Sequence, residues 1–114
     1  MNKEQSVRER ELSVDLGGYK AHLFLCSRIL AECERIKATA KVLLEEIMVA
    51  KDGEKAADIR VKGFLTDSIK SLLGNKAADE IFDRQPTEIT NLTAILCRLI
   101  SEIGLELGRE DDEE

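Results

Sequence analysis

The stretch YKAHLFLCSRILAECERIKATAKVLLEEIMVA, residues 19–50, decides how the rest of the chain is read. It holds no Pro and no Gly, and its apolar residues return at helical spacing. Tyr19, Leu23, Cys26, Leu30, Cys33, Ala40, Leu44 and Ile47 follow an alternating four-three step, with Lys37 the only charge on that line. Leu25, Ile29, Ile36, Leu43 and Ala50 form a second line beside it. Together they predict a wide apolar face on one long helix. At about 1.5 Å per residue that helix would be roughly 48 Å long. A compact globule of this size is only roughly 26 Å across, from a radius of gyration near 13 Å. Part of the face is therefore expected to project and to need a partner, a second subunit or another protein. Two readings of the stripe stand open: a coiled-coil seam between subunits, or a face covered by the chain's own later helices.

Upstream, Leu12-Ser13-Val14-Asp15-Leu16 alternates apolar and polar, the period of a half-buried strand. A lone strand is not stable, so it is expected to pair across a dimer or to lie as an extended arm along a helix. Gly17-Gly18 turns the chain into the long helix. Downstream, Lys51-Asp52-Gly53 ends that helix, with Gly53 as a left-handed cap. A second helix is predicted from about Glu54 to Leu73, with Ala57, Val61, Phe64, Leu65, Ser68, Ile69 and Leu72 on one side. Gly63 inside it costs roughly 1 kcal/mol relative to Ala and marks close packing or a bend. Gly74 ends this helix, and Asn75 caps a short turn from about Lys76 to Phe82. After a break at Asp83-Arg84-Gln85-Pro86, Thr87 is the expected N-cap of a last helix from about Glu88 to Leu107. Its apolar positions are Ile89, Leu92, Leu96, Leu99 and Ile103, and Gly108 closes it.

The expected fold is all-α: a long helix plus two shorter helices in a small antiparallel bundle, with a short N-terminal strand or extended arm. Residues 1–10 are expected to be a disordered N-terminus, 11–108 a single helical domain, and 109–114 an acidic disordered tail. The chain has 114 residues, no Trp, one Tyr and three Phe, so its core is aliphatic. Its net charge is −6, of which residues 109–114 contribute −4. Phosphate binding needs clustered Lys and Arg, so nucleic acid is not expected as a partner. The apolar runs are far short of the roughly 20 residues that cross a bilayer, so no membrane is expected either. Cys26, Cys33 and Cys97 form no paired framework, which predicts reduced thiols and a cytoplasmic setting. The polar N-terminus does not read as a signal peptide.

No catalytic, cofactor or metal site emerges. The single His, His22, stands four residues from Cys26, but zinc wants four ligands with closely spaced Cys pairs. On a helix, His22 has no Ser or Asp partner for a triad. Glu45 and Glu46, or Asp79 and Glu80, point about 100° apart on a helix and do not converge. Gly17-Gly18 lacks the spacing of a phosphate loop. The residues expected to bind protein are those of the long-helix stripe: Tyr19, Leu23, Cys26, Leu30, Cys33, Leu44 and Ile47.

One segment carries more than composition. Ile69-Lys70-Ser71-Leu72-Leu73-Gly74-Asn75-Lys76-Ala77-Ala78-Asp79-Glu80-Ile81-Phe82-Asp83-Arg84-Gln85-Pro86 is an apolar helix end, a Gly, a small-residue turn, Ile-Phe, and a polar break before a helix. It resembles small tail assembly chaperones encoded in the tail-morphogenesis regions of phages and prophages of Gram-positive bacteria. Those proteins also open with a short alternating strand before a long charged helix, so the likeness in layout spans about residues 11–104. The resemblance implies a non-enzymatic helical protein without cofactors. It would bind the tape-measure protein or the tail-tube protein through apolar helical faces, as a homo-oligomer in the bacterial host cytoplasm. It also implies that Gly74 caps the second helix while Ile81 and Phe82 plug the bundle. The alternative reading is a generic dimeric helical adaptor or regulator that dimerises through the same long helix.

Overall fold

The structure is a computed structural model that describes residues 9–50 and 53–112. Gly17 and Gly18 both take positive φ, 66° and 94°, the geometry of a two-residue turn whose twist matches two antiparallel strands. Strand β1 (Arg10–Leu16) therefore folds back on strand β2 (Tyr19–Leu25), with Leu16 opposite Tyr19, Val14 opposite Ala21 and Leu12 opposite Leu23. Leu12, Val14, Leu16, Tyr19, Ala21, Leu23 and Leu25 all turn to one face, and that face is the floor of the core. The Asp15 carboxylate accepts the Gly18 N–H at 3.0 Å and closes the turn.

Four helices follow: α1 (Ser27–Ala50), α2 (Glu54–Leu73), α3 (Asn75–Arg84) and α4 (Ile89–Asp112). The chain is mostly helical, but its N-terminus corrects the all-α expectation. The partner of the first strand is Tyr19–Leu25, which the helical reading had absorbed into the long helix. The strand pairs within the chain, not across a dimer and not as a loose arm. The long helix starts at Ser27, has 24 residues, and is about 36 Å long.

Helix α2 is the central element. It packs on α1, α3, α4 and β2, and its Leu65, Ser68, Ile69 and Leu72 are buried. A Cβ at Gly63 would meet nothing within 4 Å, so this glycine marks no close helix approach. Gly74, at φ 92°, ends α2 and opens α3 in one residue. Its N–H reaches the Lys70 carbonyl at 2.8 Å, and its own carbonyl accepts the Ala78 N–H at 3.1 Å. Asn75 is thus the first residue of α3, and the cap is Gly74. Ala78 and Ile81 of α3 are fully buried, and Phe82 packs against the core.

Helix α4 buries Leu92, Ile95, Leu96, Leu99 and Ile103 against α2 and β1. It is as long as α1 and runs through Gly108 to Asp112, where the sequence reading had closed it at Gly108. Arg10 ties β1 to α4: its guanidinium donates to the Glu106 carboxylate at 2.9 Å and to the Glu106 carbonyl at 3.2 Å. Gln85 Nε2 donates to the Leu16 carbonyl and locks the hairpin turn to the α3–α4 connection. Asn91 braces that connection by donating to the Pro86 carbonyl at 2.7 Å. Of the expected disordered N-terminus, residues 1–8 lie outside the described residues; Glu9 is exposed and Arg10 opens β1.

Candidate interaction surface

The inward seam of α1 is Ile29, Cys33 and Ile36, then Ala40, Leu43 and Ile47, at steps of four and three. This seam crosses between the two lines read from the sequence. Its first half is sealed: Ile29, Cys33 and Ile36 are at most 3% exposed. Its second half is only half-buried, and the residues beside it are open. Val42 is 52% exposed, Leu44 60%, Met48 73% and Val49 76%, with Ile59 of α2 at 71%. Large apolar side chains are unremarkable when scattered, but here they flank one helix end on two sides: Val42 and Val49, seven apart, share one flank of α1, and Leu44 and Met48, four apart, share the other. The radius of gyration, 15.5 Å, exceeds the roughly 13 Å of a compact chain of this length, consistent with a projecting end.

A shallow groove of about 450 Å³ lies on this end, lined by Val42, Glu45, Glu46, Val49 and Arg60. A second, of about 380 Å³, continues toward the core past Leu43 and Phe64. Arg60 of α2 donates to Glu46 of α1 at 2.7 Å and holds the two helices together between the grooves. Both partners are solvated, so the pair fixes register more than it stabilises.

The residues expected to bind protein separate into three environments. Leu23 and Cys33 are buried in the core. Tyr19, Cys26, Leu30 and Ile47 are half-buried, and Leu44 is exposed at the α1–α2 end. Tyr19 stands on β2, far along the chain from Leu44, and its hydroxyl donates to Glu80 at 2.7 Å. That hydrogen bond, then loss of solvent and the Glu80 charge, raises the phenol pKa above its ordinary 10.0. The Arg84 guanidinium lies 5.6 Å from the centre of the Tyr19 ring. This cluster docks the hairpin on α3. Val42, Met48 and Val49 lie off both apolar lines of residues 19–50, and Ile59 lies off the apolar side of α2, so the sequence pattern does not single them out.

His22 sits on a strand, not on a helix, and Ser13 is directly opposite it. Its Nδ1 shares a 3.0 Å hydrogen bond with the Ser13 hydroxyl on the exposed face of the hairpin. Among the described residues no carboxylate completes a triad there, so the pair reads as a cross-strand hydrogen bond. Cys26, Cys33 and Cys97 are free thiols, half-buried, buried and exposed respectively. Burial pushes the Cys33 thiol up from its ordinary range. Among the described residues no group of three or more His, Cys, Asp or Glu side chains is placed to hold a metal. No helix among them is long and apolar enough to cross a membrane. No protein-family model, no curated protein and no solved structure matches the chain.

Proposed function

We propose that the chain is a non-enzymatic, tail-assembly-chaperone-like protein that holds an apolar helical segment of a tape-measure or tail-tube protein. The observation that carries this reading is the apolar surface left uncovered at the end of α1, with Val42 and Val49 on one flank and Leu44 and Met48 on the other, together with the exposed Ile59 of α2. Full burial of such a side chain gains about 1.5–3 kcal/mol. Five side chains, each half to three-quarters exposed, offer a gross gain of roughly 6 kcal/mol. Association itself costs about 4 kcal/mol or more. The surplus is at most about 2 kcal/mol, weaker than a millimolar complex, so the client's own apolar side chains must supply the rest of the burial. The placement of the resembling segment also supports the reading, with Gly74 at the joint of α2 and α3, Ile81 fully buried and Phe82 against the core.

The test is co-expression with the tape-measure and tail-tube proteins encoded beside it, followed by pull-down. The expected result is co-purification, with the tape-measure protein soluble only in the presence of this chain. Met48→Glu with Val49→Glu should abolish that effect without loss of helicity. A homo-oligomer that ignores both proteins, and that the same double variant dissociates, would move the assignment to the dimeric helical adaptor.

A further inference from the structure

The hairpin has a second unused surface, the outer edge of β2. Leu16 and Tyr19 flank a two-residue turn and so exchange main-chain hydrogen bonds, and this pattern alternates along the ladder. The main-chain groups of Lys20, His22 and Phe24 therefore point away from β1. Among the described residues no main-chain or side-chain hydrogen bond reaches them from the rest of the chain. An unpaired edge of this kind is a template for another strand unless something blocks it.

Beside this edge runs a groove of about 540 Å³. The consecutive residues His22, Leu23 and Phe24 form one wall, and the end of α2, from Lys70 to Leu73, forms the other. Consecutive strand residues point to opposite faces, so a groove that touches all three lies along the strand edge. Its charged or titratable lining residues are His22, Cys26, Arg28 and Lys70, and no carboxylate lines it. Lys20 lies on the exposed face of β2, opposite Asp15 across the ladder, and Phe24 lies opposite Glu11. In a chain of net charge −6, the groove lining itself is positive through Arg28 and Lys70, with the Glu32 carboxylate at its margin against Ser71 and Arg28. Phe24, 56% exposed, adds an apolar contact in line with the edge.

We propose that this groove takes an extended acidic segment of another protein as a third strand, antiparallel or parallel to β2. Main-chain hydrogen bonds to Lys20, His22 and Phe24 would supply affinity, and the basic walls would select carboxylates at alternate positions. A second copy docking β2 against β2 would offer the strand Tyr19–Leu25, which carries no carboxylate to meet Arg28 and Lys70. This site is separate from the apolar α1–α2 end and does not depend on the reading of that end.

The experiment uses the full chain and a fluorescein-labelled eight-residue peptide of alternating Glu and Val, read by fluorescence anisotropy. Two control peptides are alternating Lys and Val, and the Glu-Val peptide N-methylated at alternate residues. The Glu-Val peptide should bind and weaken with salt, and the Lys-Val peptide should not bind. N-methylation should weaken binding about tenfold or more. Lys70→Glu should weaken it roughly fivefold at unchanged helicity. In the wild-type chain, hydrogen exchange at the Lys20, His22 and Phe24 amides should slow when the peptide is present. Equal binding of all three peptides, or unchanged exchange at those amides, would overturn the proposal. So would protection of those amides in the free chain at concentrations where it self-associates, which would assign the edge to a second copy.

Discussion

Helix α1 is one continuous element whose two halves should respond to truncation in opposite ways. Ile36, in the first half, is 2% exposed among Ile29, Cys33 and the core residues of α2, whereas Met48, in the second, is 73% exposed. Ile36→Ala removes buried methylenes and leaves a cavity, at a cost of about 2–5 kcal/mol. Met48→Ala removes surface that is already wet and should stay within about 0.5 kcal/mol. Leu43, half-buried between them, should fall near 1–2 kcal/mol by the same reasoning, about half of a full truncation. With a urea slope of about 1–2 kcal/mol per molar, Ile36→Ala should lower the midpoint by roughly 1–5 M. Met48→Ala should move it by no more than about 0.5 M. The assay is equilibrium urea unfolding by far-ultraviolet circular dichroism at two protein concentrations differing tenfold or more. The total stability of a domain this size, about 5–15 kcal/mol, leaves the Ile36 variant folded enough to measure. The reasoning is refuted if Met48→Ala costs as much as Ile36→Ala. A Met48 cost that rises with protein concentration would show that a second copy covers the α1–α2 end.

Other consequences follow from single residues. Gly63→Ala should stabilise the chain by about 1 kcal/mol in the same unfolding assay, because the site is helical and a Cβ there meets nothing within 4 Å. Glu80→Gln should lower the titration midpoint of Tyr19 toward that of a free phenol, read by ultraviolet absorbance from the chain's one tyrosine. The direction follows from the cause: the carboxylate accepts the phenol proton and opposes its loss. Thiol labelling should modify Cys97 first and Cys33 only as fast as the chain opens. Because burial raises the folded Cys33 pKa above its unfolded value, its contribution to stability is intact below the ordinary thiol range. It is lost as pH rises through the folded value. A Cys33→Ala variant should show a flatter alkaline decline in the urea midpoint.

The helical part of the fold was legible because its signals do not compete. Leu65, Ile69 and Leu72, or Leu92, Leu96, Leu99 and Ile103, fit a helix and no strand, and these residues are buried in their helices. Residues 19–25 were misread because two periods coincide there. Tyr19 and Leu23 are four apart, a spacing that serves one helix face and also one strand face. What separates the two is Lys20 and His22, which interrupt the run at period two, and the Gly17-Gly18 pair just before it. Two consecutive glycines between alternating segments are a hairpin signal in their own right. Reading them as a helix-start break lost the partner strand, and with it the cross-strand position of His22. The clasps between Arg10 and Glu106, Tyr19 and Glu80, and Gln85 and Leu16 join residues 61 or more apart. No local pattern announces such pairs.

The exposed end of α1 has a local cause that the periodic stripe conceals. α1 ends at Ala50 and α2 begins at Glu54, and Arg60 already reaches back to Glu46. The first turns of α2 are therefore what lies beside the last turns of α1. They read Glu54-Lys55-Ala56-Ala57-Asp58, two small side chains among three charges. Such a surface adds little cover for Leu44 and Met48 on one flank of α1 or for Val49 on the other. Of the bulky residues of α2, Ile59 is left to solvent, and Phe64 lines the groove with Val42 and Leu43 without closing it. α4 has the length to help, but it packs on α2 and β1. The chain thus covers half of its longest apolar face with its own side chains. Composition alone leaves the other half open, and this explains why neither reading of the stripe, seam or core, fits its whole length. A partner that supplies bulk opposite Ala56 and Ala57 would complete the pattern. Replacing Ala57 by Leu should shield part of the end from within and compete with that partner, measurable as weaker capture of the client by an otherwise unchanged chain.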